Sequence, residues 1–298
     1  MKNNYKKITF LAGLFLCFLT ISCDEDLDSN EPIPYEPIGG YSNSDEIAID
    51  NLVAKMSFEG NVDDSRSGLM GGIGTNISYD AGVKGNAYKG SSSGFVSYSS
   101  VNNSISELGS ITSAMWIKTT QHTGGAQCLF MLPKTTDFWG NIFVLIEGTT
   151  EDKMLLKVHL QKDVTPAIPW SGQWIEHTND NRLIGMYGEW KHLVWSYNAE
   201  TSKYNIYVDG TKLAIPEGLS NRYTSDPNVD GVPLGALSSS NVQGFILGGF
   251  QQHLGSPWNA PDGWMLPYTG MIDEFRMYNK ALSDTDIRSL YLLEKDGR

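Results

Sequence analysis

Apolar and polar residues follow one another in short runs along most of this chain. The runs are rich in Val, Ile, Tyr, Trp and Thr, and turn residues separate them, as is typical of β-strands. Ten strands are predicted on this basis, at residues 51–58, 94–99, 111–118, 128–132, 142–147, 154–161, 190–198, 203–208, 243–248 and 270–278. The pattern therefore predicts an all-β protein.

Two of these strands are spaced as a hairpin. Residues 191–197 and 204–208 alternate between apolar and polar positions, and the turn residues 198–203 lie between them. Asp209 and Gly210 then supply a tight turn. Many antiparallel strands at this spacing in one large domain favour a two-sheet antiparallel β-sandwich of the jelly-roll type.

The C-terminus departs from this pattern. Ser283 is a typical helix-capping residue, and Asp286 follows it three positions later. Ile287, Leu290 and Tyr291 then repeat at helical spacing. A short helix is expected to close the chain.

The N-terminus predicts a secreted product. Three lysines precede an apolar stretch, residues 8–21, which is too short to span a bilayer as a helix and indicates a signal peptide over residues 1–22. Residues 19–23 resemble the lipobox of bacterial lipoproteins, which implies a lipid anchor on Cys23. An ordinary cleaved signal peptide is the alternative.

An acidic stretch follows the signal peptide. Residues 24–50 contain nine acidic residues and no basic residue. Such a run beside a lipidated cysteine resembles the export signal of surface lipoproteins in Gram-negative glycan degraders, which implies the outer membrane and the cell surface. A solvated, self-repelling tether is a second interpretation, and the two are compatible. Residues 23–46 are therefore expected to form an acidic linker.

Composition limits the classes of partner that the remaining domain, residues 47–298, can bind. The 298-residue chain has a formal charge of −12 and no cluster of Lys and Arg, which excludes nucleic acid as a partner. The domain lacks a second linker, and one folded unit is expected. Its one cysteine, Cys128, has apolar neighbours that favour a buried thiol over a nucleophile.

Five motifs occur in order along the domain, at residues 52–68, 111–118, 188–194, 207–210 and 270–283. Together they resemble the LamG-like jelly rolls of the concanavalin A-like lectin/glucanase superfamily. The resemblance implies a jelly-roll sandwich with a short C-terminal helix. Because such folds serve lectins, carbohydrate-binding modules, adhesion domains and glycosidases, the fold alone does not decide the function.

The motif of acids that the glucanases of this superfamily carry on one strand is missing. The nearest pair, Asp273 and Glu274, is adjacent, so its side chains should point to opposite faces of a strand. The sequence therefore favours binding over catalysis and predicts no catalytic residue. A divergent glycoside hydrolase or lyase is the alternative if a groove gathers distant acids such as Glu147, Glu176 and Asp262.

The resemblance also implies a structural calcium ion, because similar jelly rolls hold a hard cation where the first and last strands meet. The matching residues are Glu59, Asp64 and Asp273, with Gly60 as a carbonyl donor. The alternative is that Asp64 makes an Asx turn and Asp273 caps the end of a sheet.

The eight tryptophans divide into two groups. Those in predicted strands, Trp116, Trp190 and Trp195, are expected in the core. The other five are expected in loops, where exposed aromatic rings stack on sugars and polar neighbours bind hydroxyl groups. The candidate carbohydrate-binding residues are Trp139, Trp170, Trp174, Trp258, Asn259, Asp262 and Trp264. The alternative is that these tryptophans fasten long loops to the sandwich.

These observations predict a surface-exposed lipoprotein, anchored in the outer membrane by lipid on Cys23, that binds a polysaccharide or oligosaccharide without cleaving it. Its expected setting is a polysaccharide capture and uptake system with outer-membrane partners. A protein–protein adhesion or assembly module is the alternative from another functional class.

Overall fold

A computed structural model describes residues 35–163, 165, 172–239 and 241–298. The predicted signal peptide and two predicted functional residues, Cys23 and Trp170, lie outside this part of the chain. The described strands are β1 Leu52–Met56, β2 Leu69–Met70, β3 Ile73–Thr75, β4 Ser78–Ala81, β5 Asn86–Lys89, β6 Phe95–Tyr98, β7 Ser100–Val101, β8 Ile111–Lys118, β9 Ala126–Met131, β10 Phe143–Glu147, β11 Lys153–Gln161, β12 Gly172–His177, β13 Leu183–Ile184, β14 Lys191–Asn198, β15 Lys203–Val208, β16 Thr211–Lys212, β17 Phe245–Leu247, β18 Met265–Leu266 and β19 Met271–Tyr278.

The described helices are few and short. The α-helices are α1 Asn103–Ser106, α2 Glu217–Ser220 and α3 Asp284–Lys295. Single 3-10 turns occur at Ser44–Glu46, Ile49–Asn51, Asn179–Asn181 and Gln251–Leu254. No helix in the described part of the chain has the length and apolar character that crossing a membrane requires.

Two large sheets form the sandwich that the sequence predicts. The first has the order β16-β15-β14-β8-β19-β5-β4, and β1 also pairs with β19. The second has the order β12-β11-β10-β9-β17-β6-β3, with β13 beside β11 and β18 beside β9. The pairings are antiparallel except for the short parallel contact of β18 with β9. The all-β fold class with a C-terminal helix is confirmed.

Alternating side chains give each sheet an inner and an outer apolar face. On β14, Leu193 and Trp195 belong to the core between the sheets, whereas Val194 packs in a second cluster with Leu290 of α3. On β10, Val144 lies in the core between the sheets and Leu145 belongs to a third cluster. The outer faces of the two sheets are therefore covered separately, by α3 on the first sheet and by loops on the second.

Local turn chemistry agrees with the sequence. Asp209 and Gly210 both have positive φ angles, 51° and 69°, which the tight turn between β15 and β16 requires. The Asn198 side chain accepts hydrogen bonds from two backbone N–H groups of the β14–β15 loop. Ser283 caps α3 by accepting a hydrogen bond from the backbone N–H of Asp286, and its hydroxyl donates to the Asp286 carboxylate.

The folded unit begins earlier than predicted, at Pro37 instead of residue 47. Asp45, assigned above to the acidic linker, accepts charged hydrogen bonds from Arg276 at 2.7 Å and Lys55 at 2.6 Å. Burial alone would raise the pKa of Asp45, but these two cations outweigh it and lower the pKa to about 2. The end of the acidic stretch is therefore part of the domain, because its charge has buried partners.

Candidate functional site

A pocket of about 510 Å³ opens on the outer face of the second sheet. The lining side chains come from β10, β11, β12 and two loops, namely Trp139, Leu145, Glu147, Lys157, Trp174, Glu176 and Trp264. Antiparallel pairing brings the strand residues together, since Lys157 stands opposite both Leu145 and Glu176. The site is thus built on a rigid sheet and completed by loops.

Three indole rings form the apolar part of the pocket. Trp139 stacks on Phe143 with ring centroids 5.3 Å apart, and it meets Trp174 edge to face at 5.0 Å and Trp264 at 5.7 Å. Among the described residues, none of these three tryptophans donates its indole N–H to a hydrogen bond. The three rings therefore give the pocket an apolar, aromatic lining.

Three charged side chains form the polar part. The Lys157 ammonium lies 3.0 Å from a Glu147 oxygen and 3.4 Å from a Glu176 oxygen. Burial alone would lower the pKa of Lys157, but the two glutamates outweigh it and the pKa is raised. The lysine therefore carries a fixed positive charge between two carboxylates, which leaves the group with a net charge of −1.

His159 is buried against Phe143 and Trp174, beneath the pocket. Its ring stacks on Phe143 at 4.6 Å and approaches Trp174 at 5.0 Å. Burial lowers the pKa of His159 to about 3. Its Nδ1 lies 3.2 Å from the Asn141 carbonyl oxygen, as a donor in the neutral ring. The residue supports the pocket as a packed, neutral ring.

The structure brings three of the seven candidate carbohydrate-binding residues together. Trp139, Trp174 and Trp264 line the pocket, although Trp174 lies on β12 and not in a loop as expected. Strand β12 escapes the sequence prediction because apolar and polar residues do not alternate in the segment Gln173–His177. Only the burial of its residues alternates, with Gln173, Ile175 and His177 buried, and that is a property of the folded structure.

The other described candidates do not line the pocket. Asn259 and Asp262 are exposed in the loop before β18. The indole N–H of Trp258 donates to the Lys134 carbonyl oxygen at 2.8 Å, so this side chain fastens its loop to a neighbouring one. The loop-fastening alternative therefore applies to Trp258. Trp190, expected in the core, is only half-buried because it lies in the turn that precedes β14.

Two of the three acids named for the enzyme alternative do share the pocket. Glu147 and Glu176 both contact Lys157, whereas Asp262 is exposed outside it. A glycosidase needs one carboxyl group that holds a proton and donates it to the leaving oxygen. Here one lysine ammonium contacts both carboxylates, so the two acids share a single cationic partner.

The carboxylates expected to hold calcium serve the backbone instead. Asp64 accepts three backbone N–H bonds, from Lys55, Arg66 and Leu69. Its bond to Arg66 is the Asx turn of the alternative interpretation.

The other two carboxylates bind the β4–β5 turn. Asp273 accepts from the backbone of Val83 and Lys84, and Glu59 accepts from that of Asn86. In the part of the chain that the structure describes, no three His, Cys, Asp or Glu side chains gather into a metal-binding group. As arranged here, the set of Glu59, Gly60, Asp64 and Asp273 does not fit a calcium site, because its three carboxylates already accept backbone N–H groups.

Comparisons with known proteins bear on the fold. A model of the concanavalin A-like lectin/glucanases superfamily matches residues 90–288. No curated protein matches the sequence. Among solved structures, domain 4 of AbnA, a GH43 extracellular arabinanase from Geobacillus stearothermophilus in complex with arabinotriose, is similar with a TM-score of 0.52 and 20% identity, over 81% of this chain and 98% of that domain.

The binding domains of botulinum neurotoxins are similar as well. That of neurotoxin DC, in complex with SialylT, has a TM-score of 0.54 and 14% identity, and that of serotype D has 0.54 and 13%. In both cases the match covers 82% of this chain and about half, 52%, of the toxin domain. At these identities the likeness shows the fold alone.

Proposed function

Because this chain belongs to the concanavalin A-like lectin/glucanases superfamily, we propose that its tryptophan pocket binds carbohydrate without cleaving it. One observation carries the proposal: three indole rings line the same pocket as two carboxylates that share one lysine. Sugars combine apolar C–H faces with hydroxyl groups. Indole faces match the first, and carboxylates and N–H groups match the second.

Charge favours a neutral sugar as the ligand. The pocket group of Glu147, Lys157 and Glu176 has a net charge of −1, and the whole chain has a charge of −12. A uronic acid would bring another negative charge near two carboxylates in a partly desolvated site. The arabinotriose complex of domain 4 of AbnA is a precedent for a neutral oligosaccharide on this fold.

The setting we propose follows from the N-terminus. The sequence features that support export to the outer membrane and the cell surface are the signal-peptide pattern of residues 1–22, the lipobox-like residues that end at Cys23 and the acidic stretch after them. There the domain would hold glycan for an uptake system. Acyl-chain mass on Cys23 in the purified protein, together with protease accessibility of the domain on whole cells, tests this setting.

Glycan binding is tested with a screen of neutral and acidic glycans against the wild-type protein and two variants. Trp264→Ala should abolish retention, because it removes one wall of the pocket. Trp258→Phe should leave retention unchanged, because Trp258 lies in the same loop but outside the pocket. Equal retention by Trp264→Ala and the wild-type protein would contradict the pocket as the binding site.

A glycoside hydrolase is the second candidate, because Glu147 and Glu176 share one pocket. The same screen decides it when a reducing-sugar assay accompanies each retained glycan. Product release that is lost in both Glu147→Gln and Glu176→Gln would establish the enzyme. Retention without product release would support the binding module.

A further inference from the structure

The aromatic surface continues beyond the pocket. Phe138 does not line the pocket, and 46% of its surface is exposed to solvent. Its ring meets Trp139 edge to face at 5.0 Å and lies 6.5 Å from Trp264. An exposed phenylalanine thus adjoins two of the three pocket tryptophans at the rim.

Buried polar side chains hold the backbone of this rim. Gln251 is fully buried and Gln252 is 5% exposed. The Gln251 amide donates to the carbonyl oxygens of Asp137 and Phe138 at 3.0 and 2.9 Å, and the Gln252 amide donates to that of Phe138 at 2.9 Å. Two glutamines therefore fix the backbone position that carries the exposed ring.

Gln251 also holds the start of the loop between β9 and β10, which carries Phe138. The Gln251 side-chain oxygen accepts from the backbone N–H of Lys134 at 3.0 Å. Burying an amide group costs free energy unless it is hydrogen-bonded, and both polar atoms of Gln251 and the Gln252 nitrogen have such partners, whereas the Gln252 side-chain oxygen has none among the described residues. The loop that carries Phe138 is therefore pre-organised. Because the Phe138 ring is already held in one position, less conformational entropy is lost when it contacts a ligand.

We infer that the site binds a neutral oligosaccharide chain, with one sugar residue in the tryptophan pocket and the next on the Phe138 ring. This inference rests on the proposed function, and it adds chain length as the property that the site selects. A monosaccharide would occupy the pocket alone and leave the rim ring in water. Phe138 is then a specificity-determining residue, and Gln251 and Gln252 are positioning residues.

The test measures affinity by isothermal titration calorimetry for matched pairs: arabinose and arabinotriose, glucose and maltotriose, glucose and cellotriose, and mannose and mannotriose. The proteins are the wild type, Phe138→Ala, Phe138→Tyr, Trp264→Ala and the control Ile73→Ala. Ile73 is 64% exposed and lies on β3, at the opposite edge of the same sheet. Thermal unfolding of each variant establishes that it is folded.

For the trisaccharide that binds, the wild type should bind it at least about tenfold more tightly than the monosaccharide, since a second ring contact adds to the first. Phe138→Ala should lower the affinity for the trisaccharide roughly three- to tenfold and leave the affinity for the monosaccharide unchanged. Phe138→Tyr and Ile73→Ala should behave as the wild type.

Two results overturn the inference separately from the proposed function. If Phe138→Ala binds the trisaccharide as the wild type does while Trp264→Ala does not, the pocket binds sugar and the rim takes no part. If Phe138→Ala weakens monosaccharide and trisaccharide equally, the ring supports the pocket and does not select chain length. If the wild type binds none of these sugars, both proposals are wrong.

Discussion

Arg276 on β19 is the side chain whose removal should damage the domain most clearly without touching the pocket. Its guanidinium is fully buried and hydrogen-bonds to three carboxylates, those of Glu294 at 2.6 Å, Glu274 at 2.8 Å and Asp45 at 2.7 Å. Glu294 belongs to α3 and is also fully buried. One arginine thus joins the last helix, the start of the domain and the first sheet.

Arg276→Met would remove the guanidinium from two buried carboxylates, leaving Glu274 with Lys55 at 3.6 Å and Glu294 with the Trp116 indole N–H at 2.8 Å. Breaking a buried ion pair by removing one partner costs about 3–5 kcal/mol. For a domain of this size, that corresponds to a melting temperature lower by roughly 10 °C. Arg288→Met on α3 is the control for the same substitution at an exposed arginine, and its effect should stay within about 0.5 kcal/mol.

Urea unfolding of both variants at pH 8 and pH 5 measures the effect. Burial, the largest contribution, raises the pKa of Glu294, and the arginine opposes it. Without Arg276 this pKa rises further, so Glu294 accepts a proton at acidic pH and no longer needs a cation. The loss of stability should therefore be smaller at pH 5. A loss below about 1 kcal/mol at pH 8, or an equal loss at both pH values, would refute this reasoning.

Three further measurements follow from the described contacts. Burial, the largest contribution, raises the pKa of Asp273 to about 7. Between about pH 4 and pH 7 the folded state therefore binds a proton that the unfolded state lacks, so the stability of the domain should fall as the pH rises through this range. Asp273→Asn should flatten this part of the profile, and an unchanged slope would contradict the assignment. Trp258→Phe loses its hydrogen bond to Lys134 and should cost about 1 kcal/mol in urea unfolding while glycan retention is kept. Calcium added after chelation should leave the melting temperature unchanged, because the candidate carboxylates already accept backbone N–H groups, whereas a rise of several degrees would support the calcium ion.

The sequence predicts the positions of strands that are long and lie in the middle of a sheet. The bounds of β8 and β15 agree with the prediction, and α3 follows its capping signal. Edge strands such as β3 and β13 were missed because they contain only two or three residues, and their pairing depends on neighbours distant in the chain. Local patterns cannot report such pairing.

The candidate site was predictable in part for the same reason. Aromatic residues outside the core strands pointed to Trp139, Trp174 and Trp264. The sequence does not identify Lys157 as a site residue, because its role depends on the strand register that places it near Glu147 and Glu176 on neighbouring strands. Register is a tertiary property, fixed when the two faces of a sheet are buried.

Both ends of the folded unit lie on the same side of the sandwich. Ile38 and Tyr41 pack in the apolar cluster of α3, and the backbone N–H of Ser44 donates to the carbonyl oxygen of Arg298 at 3.3 Å. This cluster covers the outer face of the first sheet, whereas the pocket opens on the outer face of the second. A bead, sensor chip or fusion partner attached at either end would therefore leave the pocket open. A short peptide joining the two ends should likewise permit circular permutation, with new ends at an exposed loop away from the pocket.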